Sequence, residues 1–252
     1  MSTSPSHPHA YRDTLLILRT QQLGEADRIV IGISPRQGVV RAVAKGVRKS
    51  SSKLGARLEP FMFTDVSLAH GRNLETVTQA VTRRAYSAPV VADWDRYTSA
   101  CSICEVAEQL GLAVEAGDPR LFNLTVGAVG VLARGEHLPD DVLTSYLLRA
   151  MAVSGWHVEL DSCARCGSEG PLHSWSQADG GAICDACRTA GDRPLAEETL
   201  AYLRAAAGGR WDLLDADPEP GVRDRAGKLV RRYVQWHVER EFRSFSLLER
   251  PS

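Results

Sequence analysis

Arg28-Ile-Val-Ile-Gly-Ile-Ser34, then Pro35-Arg36-Gln37-Gly38, then Val39-Val-Arg-Ala-Val-Ala44, is a pair of β-branched runs on either side of a tight turn. Val and Ile fit a pleated surface, Pro35 presets the turn and Gly38 closes it, so the stretch predicts an antiparallel hairpin. Three further runs of the same character flank it: Thr14 to Thr20 before, and Phe61 to Ala69 and Leu74 to Thr82 after. His70-Gly71-Arg72-Asn73 supplies a second hairpin-like turn between the last two. Five short strands in about 80 residues fit a small closed barrel of the OB type, in which closure removes exposed edges. An SH3-like barrel satisfies the same pattern.

From about Asp93 the apolar period changes from two to three and four. Asp93 to Val114, Pro119 to Ala133 and Pro139 to Ser154 are predicted helices, with Asp118-Pro119 and Pro139-Asp140-Asp141 as their start signals. Leu195 to Ala207 is another, stopped by Gly208-Gly209, and Asp215 to Gly221 is a Pro-rich acidic link. The last predicted helix, Val222 to Arg243, places Val222, Ala226, Leu229, Val230, Tyr233, Trp236 and His237 on one apolar stripe. Its other face has seven cations against three acids. The fold class expected is therefore α+β: a five-stranded barrel, a helical domain and a loop inserted into that domain.

The inserted loop carries the tightest chemical spacing in the chain. Cys163-x-x-Cys166 and Cys184-x-x-Cys187, separated by residues 167–183, have the spacing of a four-thiolate zinc site. Four sulfurs complete a tetrahedron and leave no position for an activated water, so one structural zinc is the expectation. A thioredoxin-like redox pair, two disulfides and a metal-free core are the alternatives. Ser168 to Ile183 has Leu172, Trp175 and Ile183 as its large apolar residues, too few to pack a core alone, so the metal would hold it folded. His173 is a spare ligand that four cysteines make unnecessary. Cys101 and Cys104 form a third C-x-x-C pair within the first predicted helix, near Val106 and Leu110, and read as buried core residues, a redox pair or second metal site being the alternative.

The chain has 252 residues, 44% of them hydrophobic, enough to bury a sizeable core, and no apolar run of membrane-spanning length. A soluble cytoplasmic protein is expected, its redox compartment agreeing with metal rather than disulfide use of cysteine. The net charge of −1 hides an asymmetry. Residues 1–84 hold 13 Lys and Arg against 6 Asp and Glu, whereas the remainder holds 17 against 25. Within that basic third, the stretch from Arg41 to Arg57 contains Arg41, Lys45, Arg48, Lys49, Lys53 and Arg57 and no acid. Cations spaced along a Gly- and Ser-rich loop suit contact with a nucleic-acid backbone, and Arg225, Lys228 and Arg232 on the last helix are a second candidate track. A solvated basic loop is the alternative. Tyr11, Phe61 and Phe63 are the aromatics of the first 84 residues, so affinity there should come mostly from charge.

Several motifs in order resemble the RecO family of bacterial recombination mediators. Gly24-Glu25-x-Asp27-Arg28-Ile29-Val30 looks like the family's second strand, and Gly38 with Ala44-Lys45-Gly46-x-Arg48 like its third strand and basic turn. Leu58-Glu59-Pro60-Phe61 resembles the start of its fourth strand, and Gly155-Trp156 with Leu160-x-x-Cys163-x-x-Cys166-Gly167 the approach to its zinc loop. Val158 departs from the Pro of many relatives, which touches the local turn alone. The divisions expected are a mobile tail, 1–10; the OB-fold domain, 11–84; a helical domain, 85–160 and 191–252; and the zinc-binding loop, 161–190. The resemblance implies binding of single- and double-stranded DNA, annealing of complementary strands, and help in loading the RecA recombinase together with RecR. It also implies binding of the acidic tail of single-stranded-DNA-binding protein, for which it assigns no residues, and a nucleoid-associated cytoplasmic location. No enzyme activity is expected. A zinc hydrolase or deaminase needs an open metal position and a carboxylate base, and the one such pattern, His157-Val158-Glu159, precedes a cysteine set that is already complete. An adaptor that binds only protein leaves the basic loop without a role.

Overall fold

The computed structural model describes residues 10–48, 52, 54–71, 74–114, 116–216, 219 and 221–248. The expected tail up to residue 9 and the loop cations Lys49 and Lys53 lie outside the described residues. By internal packing the chain divides into two compact units: residues up to Asp93 with Ala107–Ala133, and Trp94–Val106 with Arg134 onward.

In the first unit, β1 (Ala10–Leu23), β2 (Asp27–Ser34), β3 (Gly38–Ala44), β4 (Met62–Ala69) and β5 (Glu75–Ala85) close a barrel in the order β1-β2-β3-β5-β4. All five expected strands are present, each lengthened or trimmed at its ends. The closing contact is the short parallel pairing of Ala42 and Val43 with Glu75 and Thr76. β1 serves two neighbours by bending: Ala10 to Leu16 pair with β4, Leu16 to Leu23 with β2, and the register shifts between Ile17 and Arg19. Such a shift is how one strand can turn a barrel's corner. Leu15, Ile17, Val30, Val40, Val66, Leu68 and Val77 fill the interior. Each contributes about 1.5–3 kcal/mol by leaving water.

β3 keeps the plain alternation of a strand with one wet face, but β2 is buried on both, Ile29, Ile31 and Ile33 lying opposite Val30. Helices explain this second face. The end of α2 (Trp94–Leu112) meets it at Gly111, where an added Cβ would stand 3.7 Å from Ile33 Cδ1 of β2 and 2.9 Å from Val39 Cγ2 of β3, and α3 (Pro119–Arg134) packs Phe122 against Phe63 of β4 with centroids 6.1 Å apart. Gly117, between these helices, donates its N–H to Arg36 O at 2.9 Å. A Cβ there would lie 2.6 Å from Arg36 C and 2.7 Å from Gly38 N, so only glycine fits. A single 3-10 turn (Gly55–Leu58) precedes β4, and the short α1 (Ser87–Val91) follows β5.

The second unit contains the start of α2 together with α4 (Pro139–Val153), α5 (Glu197–Gly208), α6 (Trp211–Leu214), α7 (Val222–His237) and α8 (Arg243–Ser246). Pro139 stands at the first helical position of α4, where its missing N–H is not needed, and α5 ends on Gly209 in the left-handed conformation. Asp141 of α4 is fully buried and accepts from Tyr202 Oη of α5 at 2.5 Å and Arg223 Nε of α7 at 2.9 Å. One carboxylate thus ties three helices.

The last predicted helix ends earlier than its sequence suggests. After His237 the chain turns at Glu239, whose φ is 52°, and Arg240 N–H donates back to Gln235 O. The turn lets Phe242 and Phe245 be buried. The apolar stripe also differs: Val234 is buried, whereas Trp236 is 57% exposed.

Candidate metal centre and nucleic-acid surface

Cys163, Cys166, Cys184 and Cys187 converge, with all four sulfurs within 4.8 Å of one another. Cys166 Sγ and Cys184 Sγ are 3.8 Å apart. Zinc–sulfur bonds of about 2.3 Å at tetrahedral angles separate their sulfurs by about 3.8 Å. A disulfide requires about 2.0 Å, and all six cysteines are free thiols. The donor set therefore fits a tetrahedral ion and not the disulfide alternative.

Each pair is held by its own turn, Gly167 N–H donating to Cys163 O and Cys187 N–H to Cys184 O. Against the burial that raises it, N–H groups of Cys184, Arg165 and Cys166 draw the Cys163 thiol down to about 6, as suits a thiolate ligand. The Cys187 thiol, hydrogen-bonded to Cys166 and Cys184, is pushed up to about 12. The sulfurs thus compete for protons that a cation would displace.

Arg165, inside the first pair, fastens it to the second. Its guanidinium donates to Cys187 O at 2.7 Å, to both carboxylate oxygens of Asp192 at 2.7 and 2.8 Å, and to Asp179 at 2.9 Å. The Asp192 side chain is 2% exposed, and these bonds, opposed by burial, hold its carboxyl at about 2. The sequence offered this residue by position alone, between two ligands.

The span between the pairs is more ordered than its composition suggests. β6 (Ser174–Ser176), β7 (Gly181–Ile183) and β8 (Arg193–Pro194) form a small sheet, and Trp175, 1% exposed, meets Tyr233 of α7 edge-on with centroids 6.2 Å apart. Its apolar partner is a helix distant in sequence. At Gly181 an added Cβ would stand 2.1 Å from Glu159 O, so the strand leading into the cysteines lies directly on it. The Glu159 carboxylate accepts from the N–H groups of Asp161 and Ser162, both at 3.0 Å, and acts as a turn cap. His173 is exposed and pairs with Asp185 at 3.2 Å. Cys104 is buried and Cys101 half-buried in α2, where burial pushes the Cys101 thiol up.

The basic stretch divides into two kinds of cation. Arg41 is exposed on the outer face of β3, and Lys45 is exposed in the turn that follows. Arg48 and Arg57 are also exposed, but each is anchored on main chain: Arg48 Nη1 donates to Glu25 O at 2.9 Å and Arg57 Nη1 to Ala80 O at 2.9 Å. Asp27 Oδ1 accepts Gly46 N–H at 2.7 Å, Arg48 N–H donates to Ala26 O, and Arg28 reaches Glu59 at 2.6 Å. The three barrel motifs, around Asp27, Gly46 and Glu59, are thus one hydrogen-bonded cluster. On β1, the β2–β3 turn and β5, Arg12, Arg36 and Arg83 line a surface cavity of about 460 Å³ that also contains Asp65, paired to Arg83. Sequence reading missed them because β1, the hairpin turn and β5 each supply one.

On α7, Arg225, Lys228 and Arg232 are all exposed and stand beside an apolar groove of about 450 Å³ floored by Pro194, Leu195 and Leu229. Arg193 of β8 completes this rim, and only folding places it there. Lys228 also pairs with Asp224 at 2.8 Å, one turn away. The groove's described lining includes no acid.

Two family models match this chain in succession. The one described as Recombination protein O N terminal matches residues 9–86, and the one described as Recombination protein O C terminal matches residues 91–245. No helix among the described residues is long and apolar enough to cross a membrane.

Proposed function

The chain belongs to the recombination protein O family of DNA repair and recombination mediators, and from that premise we propose that it works by binding DNA through charge, with no bond-making chemistry of its own. The observation that carries this is the exposure of Arg41 and Lys45 on the outer side of β3 and its turn, with Arg48 and Arg57 fixed beside the same acid-free stretch. Cations held on a barrel wall meet phosphates of any sequence and screen one strand from another, which is the physical requirement of annealing. Single- and double-stranded DNA are both substrates on this reading. With RecR, the bound strand is passed to RecA. Barrel residues 11–84 bind, the loop at 161–190 takes one structural zinc through its four cysteines, and the helical parts carry partners.

A second surface suits an acidic peptide. The α7 groove combines an apolar floor with Arg193, Arg225, Lys228 and Arg232, which matches a tail with carboxylates and an apolar end such as that of single-stranded-DNA-binding protein. We assign Arg225, Lys228 and Arg232 to that role as well as to DNA.

Titration of labelled single strands and duplexes at several salt concentrations tests the main reading. The variant Arg41→Ala with Lys45→Ala should weaken both and lower the salt slope by about 0.7–0.9 per lost phosphate contact. An unchanged slope would remove the barrel wall from the binding surface. Zinc analysis should return one ion per chain.

A further inference from the structure

Every aromatic side chain of the described barrel is engaged. Tyr11 stacks on His70 and donates to Glu75, Phe61 is 2% exposed, and Phe63 packs on Phe122. The barrel therefore offers charge but no described free ring on which an unpaired base can lie. Two tryptophans elsewhere are open to solvent, Trp94 at 61% and Trp236 at 57%. Isolated exposed apolar side chains are ordinary, so exposure alone decides nothing. The surroundings separate the two.

Trp94 lies beside a cavity whose cations face acids: Arg223 is paired to Asp141, and Lys228 to Asp224, with Asp95 and Asp140 also in the lining. Trp236 borders a shallow cavity of about 460 Å³ with Arg193 and Arg232, neither in an ion pair among the described residues. Gln177 and Gln235 add amide groups there, the first positioned by its carbonyl, 3.1 Å from His237 Nε2. Glu239, Arg240 and Glu241 complete the lining. An indole ring, two cations and two amides around one shallow cavity form the parts of a stacking platform: the ring takes a base, the guanidiniums its phosphates and the amides its edge. A duplex hides its base faces and gains nothing from the ring.

Resting on the reading of the chain as a DNA binder, we propose that Trp236, with Arg193 and Arg232, is a base-stacking site for single-stranded nucleic acid. It gives the chain a preference for unpaired strands that the barrel's charge does not supply.

The test uses the full chain and variants Trp236→Ala, Trp236→Phe and Trp94→Ala, each checked for unchanged circular dichroism. Binding of a labelled oligothymidylate and of a mixed-sequence duplex is measured across salt concentrations. Trp236→Ala should weaken single-strand binding about five- to tenfold, as loss of one stacked base does. Its salt slope should not move, because no phosphate contact is lost, and duplex affinity should stay within about twofold. Trp236→Phe should recover most of the loss, and Trp94→Ala should behave as wild type. Single-strand affinity unchanged in Trp236→Ala, or a loss equal for both DNAs, or an equal loss in Trp94→Ala, overturns the site while leaving the DNA-binding reading intact. Wild-type protein that binds neither DNA overturns both.

Discussion

The barrel and the four-cysteine region reach order by opposite routes. In the barrel, Leu15, Ile17, Val66 and Leu68 pack side chain on side chain inside a closed ladder of strands, and the buried Thr64 on the same face of β4 spends its hydroxyl on Arg57 O. In the cysteine region the centre is polar: four sulfurs, the Arg165 guanidinium and the Asp192 carboxylate, with Trp175 leaning on a helix from elsewhere in the chain. The first arrangement tolerates the loss of any ion but not of volume. The second should respond in the reverse way, because its three large buried apolar side chains, Leu172, Trp175 and Ile183, cannot alone offset the ordering of so long a loop.

Removing metal is the strongest way to break the symmetry of that contrast. A chelator, or Cys163→Ser with Cys184→Ser, should release amide protection across 161–192 and leave barrel amides protected, as read by hydrogen exchange. Uniform loss of protection would mean that the barrel depends on the ion. A core truncation makes the opposite cut: Leu68→Ala should destabilise the barrel by about 2–5 kcal/mol while the metal content matches that of the unaltered chain. Urea unfolding with parallel metal analysis measures both.

A smaller effect sharpens the polar side. Arg165→Ala leaves the enclosed Asp192 carboxylate with Thr189 but without its cationic partner and should loosen the region by about 1–3 kcal/mol near neutral pH, seen as faster metal loss to a competing chelator. Because Asp192 titrates at about 2 in the folded chain against an ordinary 3.8, its contribution is complete above that ordinary value and fades as the pH falls toward 2. The Arg165→Ala effect should therefore be constant across neutral pH. Smallest is the division among barrel cations. Arg48→Ala should lower barrel stability by about 1 kcal/mol through its lost main-chain contact, whereas Arg41→Ala should change it by less than about 0.5 kcal/mol and act on the salt slope alone. Equal stability losses would cancel the distinction between anchored and free cations.

Strand periodicity, turn residues and cysteine spacing made the α+β organisation and the convergence of the four cysteines readable from the chain, since each is encoded within a few neighbouring residues. What was not readable depends on distant partners. Nothing around Ile29, Ile31 and Ile33 reveals that helices cover the outer face of β2, although three isoleucines on a nominally wet face were a signal. Trp236 sits at the helical spacing of the buried stripe, yet the turn at Glu239 ends the helix just beyond it and the ring stays outside. Arg193 has no local signal at all; it becomes part of a basic rim only because β8 lies beside α7. Arg48 looked like its neighbours in a charged loop, and its grip on Glu25 is a matter of tertiary distance.

The contact between Gly117 and the Pro35–Gly38 turn bears on how this protein can be modified. Tips of β-hairpins are usually the safest places to graft a label, a linker or a whole extra domain. Here the hairpin tip is stapled from behind by a backbone hydrogen bond and by an approach that excludes even a methyl group. Residues spliced in after Arg36 would have to push the helix connection away first. The turn at Gly24 has nothing within 4 Å of an added Cβ and is the better place to insert a linker or fusion, provided Gly24 itself is kept for its φ of 60° and at the expense of disturbing Arg48's two carbonyl partners.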